Sequence, residues 1–187
     1  MTLSPDRVLP SHVLLEACES YQKQSYRNRC YILASDGPQM LQVPVSHTAE
    51  GLVDYSTPWV LRTQRALDTA YETAAYYEYY RDEVFAVLDA RPRTLWELNL
   101  STIRFLINKI GIACEIEPTQ EFAVPGSVPD DYRYVIHPKK PDDILASLGL
   151  DKPYYQVFRD RLGGFTPRLS ALDLLFNEGP DSIIWLK

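Results

Sequence analysis

Lys23, Arg27 and Arg29 crowd into the polar run Glu16-Ala-Cys-Glu-Ser-Tyr-Gln-Lys-Gln-Ser-Tyr-Arg-Asn-Arg29, which separates two apolar stretches. Gln22, Gln24, Asn28, Tyr21 and Tyr26 stand among them, so the run is dense in donors suited to an anionic or hydroxyl-rich ligand. Arginine forks take phosphate or carboxylate through two parallel hydrogen bonds, so the loop reads as an anion site. The alternative is that its cations pair with nearby acids, Glu16 and Glu19 above all. Cys18 and Cys30 flank the loop, and a neighbouring cation lowers a thiol pKa, which would suit acyl transfer through a thioester at Cys30. A strand cysteine is also commonly just a small apolar side chain. Further on, His137-Pro-Lys-Lys140 offers an acid or base titrating near neutrality, with Lys139 and Lys140 able to hold a phosphate. A charged surface turn explains the same residues.

Other chemistries find little purchase. Gly-x-Gly-x-x-Gly, Walker and nucleophile-elbow patterns are absent from the 187 residues. His12, His47 and His137 are far apart, and Cys18, Cys30 and Cys114 form no C-x-x-C pair, so no metal site is expected. An odd cysteine count fits a reducing compartment. The net charge of -6 argues against nucleic-acid or membrane-surface binding. No apolar stretch reaches the ~20 residues that cross a bilayer, and Met1–Pro10 lacks a signal-peptide core. The expectation is a cytoplasmic protein with no membrane insertion. Thirteen tyrosines against six phenylalanines suit a ligand cleft or a subunit contact, or simply half-buried positions.

The elements that would position these residues read as β, then α, then mixed, an α+β order. Residues 13–17 and 29–34 suggest strands, and Ser35-Asp36-Gly37-Pro38 is a turn signal leading to a partner strand over 40–45. Residues 52–55 suggest a further short strand. Pro58 suits the first position of a helix in which Trp59, Leu61 or Arg62, Ala66, Leu67, Ala70 and Tyr71 follow helical spacing. After a break near 73–75, a second helix carries Tyr77, Tyr80, Val84 and Leu88 on one side and stops before Pro92. Thr94 with Glu97 forms a capping box for a third, closed by Gly111. Strands are expected over 112–116 and 153–158, a long loop with five prolines over 117–152, and a final helix over 170–176. A chain of this length buries roughly 70% of its unfolded surface as one domain, here 1–187.

Taken in order, Tyr21–Arg29, Val43-Pro-Val45, Trp59 with Tyr71, Tyr76-Tyr-Glu-Tyr-Tyr80, Tyr132-Arg133, His137–Pro141, Tyr154–Phe158 and Leu169–Pro180 resemble the WbqC-like protein family. The resemblance implies a small bacterial protein encoded with cell-surface polysaccharide genes. Its implied activity is transfer of an acyl or glycine-type aminoacyl group to an amino sugar of O-antigen. It also draws Gln156 and Asn177 into the candidate site, because both lie in family-like blocks. Two departures stand out. The family's aromatic, Pro-rich opening is reduced to Val8-Leu9-Pro10, and Thr63 occupies the place of a histidine that many members carry after the helix Trp. A threonine cannot act as a general base at neutral pH.

The combined expectation is an N-terminal hairpin or small sheet packed on a central group of helices, with a Pro-rich loop and a C-terminal helix covering it. In the transferase reading Lys23, Gln24, Arg27, Asn28 and Arg29 grip an anionic donor or sugar nucleotide, and the 137–141 loop closes over it. The rival is a non-catalytic module binding a sugar nucleotide or a protein partner, with a homo-oligomer also conceivable. No cofactor is implied.

Overall fold

Two small sheets flank a group of helices in the computed structural model, which describes residues 10–46, 51–128, 130–138 and 144–187. Strand β1 (His12–Leu15) pairs in parallel with β4 (Glu115–Pro118), in the register His12 to Glu115. Strands β2 (Arg29–Ala34) and β3 (Gly37–Gln42) form an antiparallel hairpin with Arg29 opposite Gln42. The two-residue turn Ser35-Asp36 delivers the chain to Gly37, whose φ of +126° suits only glycine. Pro38 is tolerated in β3 because that strand has an unpaired outer edge. The α+β expectation therefore holds.

Three helices follow: α1 (Trp59–Tyr71), α2 (Tyr77–Asp89) and α3 (Leu95–Ile110). The expected capping box starts α3, with Thr94 Oγ1 accepting from Glu97 N and Glu97 Oε2 from Thr94 N at 3.2 and 3.0 Å. Gly111 ends it in the left-handed conformation at φ +76°. A one-turn α4 (Ile144–Ser147) and α5 (Ala171–Glu178) come last, and the chain continues past Gly179-Pro180 as a 3₁₀ segment to Leu186.

The hairpin rests on the helices through Ile32, fully buried against Leu67, Tyr71 and Phe176. The Phe176 ring meets Tyr71 and Tyr77 at centroid distances of 5.0 and 4.9 Å, the second edge to face. Burial of each such ring contributes about 2–3 kcal/mol. A second cluster joins Trp59, Val60, Leu95 and Leu98 to Val43, Val45 and Val53.

Several strand and helix expectations shift. Leu61 is exposed, because Trp59 and Val60 take the buried positions of the first turn. Residues 52–55 make only isolated bridges, Val53 to Val45 and Leu52 to Thr94. The strand expected over 112–116 starts three residues late. Residues 153–158 form no strand, since the Tyr31 carbonyl of β2 accepts from Ser170 N (2.7 Å), while the Tyr154 and Gln156 side chains and the Tyr155 N–H bond to α5 and Thr166 instead. Among the described residues no helix is long and apolar enough to cross a membrane.

Candidate functional site

The polar run between β1 and β2 is held by its own hydrogen bonds. Ser25 is buried and caps the 3₁₀ turn Tyr26–Asn28, accepting from Arg27 N and donating to the Gln22 carbonyl at 2.8 Å. Asn99 on α3 donates to the Arg27 carbonyl (2.8 Å), which ties the turn to the helices. Asn28 Nδ2 donates to the Val43 carbonyl at 2.9 Å, which fixes the amide and leaves Asn28 Oδ1 buried without a partner.

Asn28 lines a cavity of about 190 Å³ between the hairpin and α1–α3. Trp59, Thr63 and Leu67 enter the wall from one face of α1, at a spacing of four residues. Val84, Leu88, Leu98 and Phe105 make it largely apolar. Two more buried polar atoms on its lining residues have no partner, Trp59 Nε1 and Arg29 Nε. A buried polar group left unpaired costs about 1–3 kcal/mol, so three of them on residues that line one small cavity single it out as the candidate site. No acidic side chain pairs with Arg29 among the described residues.

Arg27 is different. Its Nε donates to Glu19 Oε2 at 2.7 Å, and Tyr134 Oη and Gln22 Nε2 both donate to Glu19 Oε1, at 2.5 and 2.8 Å. A parallel cluster surrounds Glu16, which accepts from Thr119 Oγ1 and Arg133 Nη1 at 2.8 Å and from Ala123 N at 3.0 Å. Arg133 also forks onto both oxygens of Asp131 at 2.8 and 2.6 Å. Burial pushes the Glu16 carboxyl up, but the bonds from Thr119, Ala123 and Cys18 and the Arg133 charge together hold it below the ordinary range. These two clusters edge a wider cavity of about 610 Å³ that shares Tyr26, Arg27 and Asn99 with the first.

The sequence-derived residues therefore separate. Arg27, Asn28, Arg29 and Cys30 line the inner cavity together. Burial pushes the Cys30 thiol up, partly offset by a hydrogen bond with Ser170, the opposite of an activated nucleophile. Lys23 and Gln24 lie exposed at the bend before it, Gln24 in the left-handed region at φ +58°. His137 lines neither cavity, although Ile136 beside it borders the wider one. Lys139, Lys140 and Pro141 lie outside the described residues, as do His47 and residues 1–9.

Gln156 and Asn177 serve a second polar centre built on Asp173, which is fully buried. Asp173 accepts from Tyr71 Oη and Tyr154 Oη, both at 2.6 Å, and from Gln156 Nε2 at 3.1 Å. Gln156 also exchanges bonds with Thr166 at 2.9 and 2.8 Å, so both ends of its amide are engaged. Asn177 Nδ2 donates to the Asp173 carbonyl (2.7 Å), leaving Asn177 Oδ1 unpartnered. Ser170 caps α5 as its residue type suggests, but Asp173 is far more than a favourable dipole charge. An acid inside Leu172-Asp-Leu-Leu-Phe176 is the sequence signal for that burial. Among the described residues no three His, Cys, Asp or Glu side chains are grouped to hold a metal.

Fold and site together describe a small α+β protein with a ligand-sized cleft between a β-hairpin and three helices. The chain belongs to the WbqC-like protein family, which residues 11–137 match. It is also similar to the uncharacterized protein Rv1507c of Mycobacterium tuberculosis (strain ATCC 25618 / H37Rv), 25% identical over 194 residues covering 89% of this chain and 84% of that protein. No solved structure matches the chain significantly.

Proposed function

We propose that the inner cavity binds a small molecule with an apolar body and one anionic group, and that this molecule is the acyl or aminoacyl donor for transfer to an amino sugar in surface-polysaccharide metabolism. The observation that carries the binding is the convergence of Asn28 Oδ1, Arg29 Nε and Trp59 Nε1, all buried and unpartnered, on residues of one cavity. At about 190 Å³ the space suits a short acyl chain or a small ring rather than a whole nucleotide. In the transfer the acceptor amine attacks the donor carbonyl carbon, an amide C–N bond forms, the bond to the donor's leaving group breaks, and the amine proton departs with that group. The family resemblance supports this chemistry.

A second reading, binding without catalysis, is favoured by the lining itself. Among the described residues it contains no histidine or carboxylate, the family resemblance puts Thr63 in the place of a histidine, and the Cys30 thiol is pushed up. A thermal-shift screen against short-chain carboxylates and acyl-coenzyme A tests the site, with free nucleotides, which the cavity does not accommodate, for comparison. A ligand at a hundred times its dissociation constant stabilises the fold by about 2.7 kcal/mol. Loss of the shift in Arg29→Met places the ligand at this cavity, whereas a shift indifferent to that change removes the proposal. Incubation of a hit with an amino sugar, read by mass spectrometry for the amide, separates transferase from binding module.

A further inference from the structure

An outer cavity of about 310 Å³ adjoins the inner one, and Tyr26, Arg29, Cys30 and Ser170 line both. Arg168 adds a second guanidinium to the outer wall, and the phenolic Tyr31 a further hydroxyl. Among the described residues no aspartate or glutamate lines this cavity, in a chain whose net charge is -6. Ser170 is also the N-cap of α5, whose positive dipole end lies at the same wall.

Building on the inner-cavity reading, the geometry points to a phosphate subsite in the outer cavity, so that the ligand class is a small soluble phosphate ester. Its short apolar group occupies the inner cavity and its phosphate lies between Arg29 and Arg168. Arg29 is the hinge of this assignment, because it is common to both cavities and its Nε is buried without a partner. A carboxylate satisfies one guanidinium fork. A phosphate monoester, with charge near -2 and three terminal oxygens, matches two forks and the hydroxyls of Tyr26, Tyr31 and Ser170. Arg168 itself has φ +64°, a conformation non-glycine residues seldom adopt.

Calorimetric titration of the full chain with butyl phosphate and with butyrate tests the subsite. Butyl phosphate is expected to bind about tenfold tighter or better, a difference of about 1.4 kcal/mol. Arg168→Gln should reduce that advantage to about twofold while leaving butyrate affinity unchanged, and Arg168→Lys should keep most of it. Arg168 is exposed, so both variants are expected to fold, which their melting curves check. Equal binding of the two anions, lost together in Arg29→Met, overturns the phosphate subsite and leaves the inner-cavity reading standing. An advantage that survives Arg168→Gln likewise overturns it. Failure of both anions to bind removes both readings.

Discussion

Tyr71 donates its hydroxyl proton to Asp173 across 2.6 Å, joining α1 to α5 through two side chains of which neither is more than 1% exposed. The same hydroxyl accepts from Leu33 N at 3.2 Å, so one phenol links two helices and the hairpin. Tyr71→Phe leaves Leu33 N without this acceptor and Asp173 with two donors in place of three. A loss of about 1–3 kcal/mol in urea denaturation is expected, with the helical signal retained.

Asp173 also sets a pH dependence. Burial pushes its carboxyl above the ordinary aspartate range, against the lowering effect of the Tyr154, Tyr71 and Gln156 bonds. The folded protein therefore holds this proton more tightly than the unfolded chain. The contribution is fully present below the ordinary aspartate pKa and is lost as pH rises through the raised value. Wild type should exceed Asp173→Asn in stability by more at pH 4 than at pH 7. A gap that widens toward pH 7 would contradict the assignment.

The Glu16–Arg133 pair should behave in the opposite sense. The Glu16 carboxyl is held below its ordinary range, so its contribution is present above that range and disappears as pH falls through the lowered value. Asp131 is lowered too, chiefly by its bonds from Arg133. Arg133→Met should melt several degrees below wild type at pH 7. That difference should shrink in acid, where melting scans at pH 3 check it.

Trp59 separates binding from folding. Because Trp59 Nε1 has no partner, Trp59→Phe removes a buried donor without breaking a bond. Stability should stay within about 1 kcal/mol of wild type, the lost ring area offsetting the relieved donor. Affinity for any ligand of the inner cavity should fall about fivefold to tenfold. Unchanged affinity would mean that the indole nitrogen does not reach the ligand.

Thiol reactivity reports on Cys30. Cys18 is exposed, whereas Cys30 is partly buried and its thiol is pushed up. Iodoacetamide at pH 7.5 should label Cys18 well before Cys30, with the sites assigned by mass spectrometry. Fast labelling of Cys30 would restore the thioester reading of acyl transfer.

Much of this was legible from local pattern. The capping box at Thr94 and Glu97, the stop at Gly111, the break between α1 and α2 and the Ser35-Asp36 hairpin turn each depend on residues a few positions apart, and each formed. The crowding of Arg27, Asn28, Arg29 and Cys30 likewise marked the stretch that lines the inner cavity. Residues 153–158 misled because a short run rich in aromatic and β-branched side chains looks the same whether or not a neighbouring strand is available to pair.

By itself the sequence determined the α+β order, the helix limits and the place where cations and donors gather, since propensity, caps and turns act over one or two turns of chain. Only the tertiary structure decided which cation is neutralised and which is not. Glu19 meets Arg27 while Arg29 turns into the wall between two cavities, a choice set by the Ser25 cap and the start of β2. It also decided that Asp173 is buried among Tyr71, Tyr154 and Gln156, and that β1 lies beside β4. Charge pairing and desolvation depend on what packs within a few ångströms, and those neighbours come from distant parts of the chain.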